Sequence, residues 1–120
     1  VIALKNKLSE ERMTHEIVTV EDGTFRLAIA GELDVLSVYD LRPVLDTLVT
    51  GHPRKVEVDL SGLRIVDSSG VGALVSLYKR VRAQGGEVVV TGLQNQPLAV
   101  FRVLALERVL TGAESKNGGK

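Results

Sequence analysis

Asp67-Ser68-Ser69-Gly70 is the run in this 120-residue chain whose residue types and setting carry information beyond packing. Ile65 and Val66 lead into it, and Val71-Gly72 continues it into an amphipathic stripe. Asp and Ser are good helix N-caps and Gly eases a tight entry, so a helix start alone accounts for these residues. The same geometry also has a chemical use. A hydroxyl at a helix N-terminus sits on a loop, where a kinase can reach it. The unpaired N–H groups and partial positive charge there tolerate an added phosphate. Phosphorylation brings about −1.5 to −2 charges and strong acceptor oxygens, enough to rebuild or block a protein interface. Ser68 is therefore a candidate modification site that would switch binding and leave the fold largely intact.

Other chemistries lack their parts. A hydrolase needs an activated nucleophile with a base in reach. Only two histidines exist: His15 at the start of an expected strand, and His52 in a turn beside Pro53. Both read as solvated surface groups. Val66, rather than Gly, lies two residues before Ser68, so the Gly-x-Ser-x-Gly nucleophile elbow is absent. Gly70 and Gly72 match the first two glycines of a dinucleotide fingerprint, but Val75 takes the third place. No Gly-Lys-Ser/Thr phosphate loop occurs. Asp34, Asp59 and Asp67 could converge, yet no His joins them at a metal-ligand spacing. Strand-end and cap roles explain these aspartates, and we expect no enzyme, no metal and no cofactor.

Composition narrows the partners. Lys plus Arg number 15 and Asp plus Glu number 15, so the basic surplus of a nucleic-acid binder is missing. Aromatics make up 3% with no Trp, which removes the stacking platform of single-strand binders and leaves an aliphatic core. Cysteine is absent, excluding disulfides and thiolate chemistry. No apolar run approaches the roughly 20 residues of a membrane span. Val1-Ile2-Ala3-Leu4 is too short for a signal-peptide core. The expected location is cytoplasmic, with neither nucleic acid nor membrane as partner.

The elements that must position Ser68 follow from periodicity. Residues 1–13 read as a flexible extension, 14–112 as one domain, and 113–120 as a disordered polar tail. His15–Val20 and Phe25–Ala30 are β-branched-rich runs around Glu21-Asp22-Gly23-Thr24, a hairpin signal in which Gly23 supplies positive φ. Leu41, Val44, Leu45, Leu48 and Val49 form a helical stripe. Pro43 predicts a late start at Asp40 or a bend after a start at Ser37. Lys55–Leu60 alternates as a strand, and Val71, Leu74, Val75, Tyr78 and Val81 make a second helical stripe ended by Gly85-Gly86. Glu87–Thr91 reads as a strand buried on both faces. A third helix spans Leu98 to Leu106 with Pro97 in its first turn, and Arg108–Thr111 reads as a last short strand. The expected fold is α/β, with a mixed four- to five-stranded sheet and helices mainly on one face.

Gly31-Glu32-Leu33-Asp34, then Val58-Asp59-Leu60-Ser61, then Val66 through Gly72, with Gly85-Gly86 before a valine-rich strand, resembles the anti-sigma factor antagonists of the STAS family. The resemblance covers roughly residues 14–111. It implies a single STAS domain and a partner-switching role. The unphosphorylated form would bind an anti-sigma factor that is also a serine kinase of the histidine-kinase-like ATPase fold, releasing its target. The kinase would then phosphorylate Ser68 with ATP and let go, and a metal-dependent serine phosphatase would reset the switch. Asp34, Asp67, Ser69, Gly70 and Gly72 map onto partner-binding positions, with Ser69 capping the helix and lining the interface. The family's further C-terminal amphipathic helix is expected to be missing or disordered, because the sequence turns polar after Thr111. Stand-alone members of the family also serve lipid-transport ABC systems and other transporters. The intact pair Ser68-Ser69 disfavours that role, since transporter-associated members often lose the paired serines.

Overall fold

The computed structural model describes residues 12–112. Expectations for the N-terminal extension up to residue 11 and for the tail from 113 lie outside the described residues. Arg12 and Met13, assigned above to the extension, belong to the fold: Met13 is buried and opens the first strand.

The chain runs β1 (Met13–Glu21), β2 (Thr24–Leu33), α1 (Ser37–Thr50), β3 (Lys55–Val66), α2 (Ser68–Ala83), β4 (Glu87–Thr91), α3 (Asn95–Val103) and α4 (Glu107–Leu110). The strands lie in the order β1-β2-β3-β4. β1 is antiparallel to β2, and the other two neighbours are parallel. Gly23 turns the β1–β2 hairpin at φ +77°. Helices α1 and α2 form the two crossovers, as parallel neighbours require.

Alternation fills one face of the sheet with Leu27 and Ile29, Val56, Val58 and Leu60, and Val88 and Val90, all buried. Buried opposite-layer residues are Leu41, Leu45 and Leu48 on α1, and Leu74, Leu77 and Val81 on α2. Each such side chain contributes about 1.5–3 kcal/mol by leaving water. The core is aliphatic apart from Phe101 of α3, which is fully buried. Three details place the end of β3, where Ser68 follows. The amide of Asp67 donates to the Leu33 carbonyl (3.1 Å). The Gln96 side chain accepts from the Val66 amide (2.9 Å) and donates to the Val66 carbonyl (3.0 Å), fastening α3 beside it. The Gln94 side chain donates to the Ser61 carbonyl at 3.0 Å.

The structure settles one reading left open and departs from the sequence reading at three places. Of the two starts left open for α1, the helix takes Ser37 and runs through Pro43. Asp34 makes this possible by accepting from the amides of Leu36 (3.1 Å) and Ser37 (3.0 Å), which satisfies donors that a helix start leaves open. β3 continues past Leu60 to Val66, because Gly62 allows the strand to press against Ala30. A Cβ at Gly62 would stand 2.9 Å from that of Ala30. β4 is an edge strand with Val89 only half-buried, so it is not covered on both faces. Finally, the third helix stops at Val103, and Arg108–Thr111 is not a strand: Glu107–Leu110 is a helical turn, leaving four strands among the described residues. Leu106 and Leu110, four residues apart, both turn inward, which is helical spacing.

Candidate phosphorylation and partner-binding site

Ser68 is the first residue of α2 and is exposed. The helix cap is Asp67, whose extended backbone (φ −110°, ψ −174°) turns its Oδ1 onto the Gly70 amide at 3.0 Å. Ser69, expected to cap, does not do so. It is half-buried in a small hollow with Val35, Val38, Tyr39 and Arg42 of the β2–α1 corner. Among the described residues, neither serine hydroxyl takes part in a side-chain hydrogen bond of the capping network, which runs through Asp67 alone.

Gly70 and Gly72 part company. Gly70 is buried, and a Cβ there would meet the Leu33 carbonyl oxygen at 2.7 Å and Val66 Cγ2 at 2.7 Å. It lies beneath the surface, letting the first turn of α2 touch the end of β2. Gly72 is exposed with open space around it.

Asp34 lies at the neighbouring strand end. Its carboxylate pairs with the Arg12 guanidinium and accepts from the Leu36 and Ser37 amides. The hydroxyl of Ser37, itself buried, donates to the Glu32 carbonyl at 2.9 Å. Arg12, first, and the Ser37 amide, second, hold the Asp34 carboxyl down to about 2. The Arg12 guanidinium is correspondingly pushed up by its hydrogen bond to Asp34. Gly31 makes this contact possible. At φ +93° it brings the chain against the Arg12 carbonyl, where a Cβ would overlap at 2.0 Å. Asp59, the third aspartate singled out, stays local: it accepts from the Ser61 amide at 2.9 Å, which lowers its carboxyl pKa. Among the described residues no group of three or more His, Cys, Asp or Glu could hold a metal ion.

Apolar surface surrounds Ser68. On one side Val35, Leu36 and Tyr39 are 57%, 65% and 73% exposed. On the other, Val66, Ala99, Val100, Val103 and Leu104 wall an open, almost wholly apolar hollow of about 380 Å³, whose lining Asp67 and Ser68 complete. Val103 is 82% exposed. Such side chains gathered at one end of a small domain mark a binding surface more often than a solvated one. The helical stripes did not reveal them. Val35-Leu36, an apolar pair between Asp34 and Ser37 and off the stripe of α1, was the one available signal. Arg12 gave none, because its partner is 22 residues away.

The geometry is thus that of a small α/β module with an exposed serine at a helix start, set in apolar surface. Comparison with known proteins gives its family. The model described as "Mlab, STAS domain" matches residues 18–111, and the chain belongs to the STAS domain family. An anti-sigma-B factor antagonist of Bacillus subtilis (strain 168) is 28% identical over 102 residues, covering 85% of this chain and 93% of that protein. The structure of the anti-sigma factor antagonist SpoIIAA in its unphosphorylated form matches with a TM-score of 0.70 at 22% identity, over 78% of this chain and 83% of that one. A sulfate transporter family protein from Wolinella succinogenes shares the fold with a TM-score of 0.65 at 17% identity, over 78% and 75% of the two chains. Among the described residues no helix is long and apolar enough to cross a membrane.

Proposed function

We propose that this chain is an anti-sigma factor antagonist, a non-enzymatic member of a partner-switching module governed by phosphorylation of Ser68. The observation that carries the reading is the division of labour at the start of α2. Asp67 caps the helix, so Ser68 is spared that role and stands exposed between two patches of exposed apolar side chains. Unmodified, this surface binds an anti-sigma factor that is also a serine kinase of the histidine-kinase-like ATPase fold. Asp34, Ser69 and Gly72 complete the contact around Ser68, while Asp67 and Gly70 shape it from beneath. The kinase transfers the γ-phosphoryl group of ATP to Ser68 Oγ; the hydroxyl proton is lost and ADP leaves. A dianion at the edge of the apolar hollow then has to be desolvated for the partner to stay, and the complex separates. A metal-dependent serine phosphatase restores the hydroxyl. The relatedness to the B. subtilis antagonist supports the same reading.

The test is a pull-down from the source organism with Ser68→Ala and Ser68→Asp baits, read by mass spectrometry. A serine kinase retained by Ser68→Ala and lost by Ser68→Asp is the expected result. Equal retention by both removes the switch. A second reading, a stand-alone STAS subunit serving a lipid-transport ABC system or another transporter, draws support from the name of the matched model and the transporter-family neighbour. Under it, transporter subunits copurify equally with both baits.

A further inference from the structure

Asp67 serves two segments with one carboxylate. Its Oδ1 accepts from the Gly70 amide (3.0 Å) inside the first turn of α2. Its Oδ2 accepts from the Val35 amide (3.2 Å) in the loop between β2 and α1. That loop presents Val35 and Leu36 to solvent. The next two amides of the loop, those of Leu36 and Ser37, are held separately by Asp34. Val35 is thus the residue through which the loop is tied to the helix that carries Ser68. Among the described residues the ion pairs at this end of the sheet involve Arg12, Glu32, Asp34 and Arg64, and Asp67 takes part in none of them.

A phosphate on Ser68 places about −1.5 to −2 charges one residue away from this carboxylate. It also competes for the same N-terminal amides of α2, which favour whichever anion is closest and most charged. Two anions at one helix end repel each other while competing for the same amides.

We infer, on the reading that Ser68 is the phosphorylated residue, that Asp67 is a positioning residue that passes the state of Ser68 to the Val35–Leu36 loop. With Ser68 unmodified, the carboxylate holds the loop by the Val35 amide and fixes two apolar side chains for the partner. With Ser68 phosphorylated, the carboxylate is driven off the shared helix end and the Val35 amide is released. The partner then meets a new charge and, a few residues away, loses a preformed apolar contact.

The coupling is measurable with no kinase or partner present. The full chain is made with phosphoserine incorporated at position 68 during translation, and backbone amides are followed by NMR. In the phosphorylated protein the Val35 amide exchanges with solvent on the order of tenfold faster than in the unmodified one, as expected for losing a charge-assisted hydrogen bond. Its resonance also titrates with the second ionisation of the phosphate, near pH 6, a response that a merely structural role of Asp67 would not produce. In Asp67→Asn, which keeps an acceptor oxygen and loses the charge, phosphorylation changes Val35 exchange by less than about twofold. A Val35 amide that neither speeds up nor titrates, while the Ser69 amide does titrate, overturns the coupling. That result leaves the pull-down with Ser68→Ala and Ser68→Asp unaffected, so the two readings fail separately.

Discussion

Substituting alanine at Gly70 and at Gly72, two residues apart on one helix, has opposite expected effects. At Gly70 the new Cβ lies 2.7 Å from the Leu33 carbonyl oxygen, 2.7 Å from Val66 Cγ2 and 2.8 Å from Leu33 Cγ. The carbonyl cannot retreat cheaply, because it accepts from the Asp67 amide that joins β3 to α2. Overpacking of this kind costs about 1–3 kcal/mol, and loosening the backbone bond adds about 1 kcal/mol. We expect Gly70→Ala to lose about 2–4 kcal/mol. At Gly72 nothing lies within 4 Å of the new Cβ, and the site is exposed. There the gain in helix propensity prevails, and Gly72→Ala gains about 0.5–1 kcal/mol. Urea unfolding followed by circular dichroism reads both. With a slope of about 1–3 kcal/mol per molar, the two midpoints move in opposite directions by amounts well outside error. A Gly70→Ala protein as stable as the parent, or a destabilised Gly72→Ala, would show that α2 does not meet β2 as described.

Removing the Gln96 side chain with Gln96→Ala leaves the Val66 amide and carbonyl without partners; thermal unfolding should show a loss of about 1–3 kcal/mol, and Gln96→Glu should not rescue it, because a carboxylate cannot donate to the carbonyl. The Asp34 carboxyl, held down to about 2 against 3.8 for the unperturbed group, stabilises the fold fully above pH 3.8, and that contribution is lost as pH falls through about 2. A carboxyl NMR titration should find this low value, and Arg12→Ala should return it toward 3.8; an unchanged titration in Arg12→Ala would remove the ion pair. The Ser68 baits and the Val35 exchange measurement, described above, test the switch and its coupling.

The hairpin, the stripes of α1 and α2 and the Asp-Ser-Ser-Gly helix start were legible because their signals are local: alternation, spacing of three and four, and a turn glycine. What was missed depended on distant partners. Ser61-Gly62 looks like a strand end until Ala30 is seen against it, where only a glycine fits. Pro43 leaves two helix starts open until Asp34 is seen organising the turn before Ser37. Glu87–Thr91 is apolar enough for an interior strand, and composition alone does not reveal that among the described residues it lies at the sheet edge. At the site, Ser68 and Gly72 lie on the surface as their positions on the helix implied, whereas Gly70 is drawn inward by the approach of Leu33. The double attachment of Asp67 had no trace in the sequence, since Val35 is 32 residues away.

β3 has 12 residues and β4 only five, paired from Lys55 to Asp59, so the far half of β3 extends beyond its neighbour. A bare overhang of strand backbone is a template on which another chain could add a strand and begin aggregation. Here two glutamine side chains occupy it: Gln94 at the Ser61 carbonyl, and Gln96 at both polar groups of Val66, in the manner of an adjacent strand. Strand addition is thereby hindered on the side where Val103 and Leu104 stand exposed. An apolar surface beside an unfinished sheet edge is a double invitation to self-association, and side chains of the same chain lying on that edge withdraw half of it.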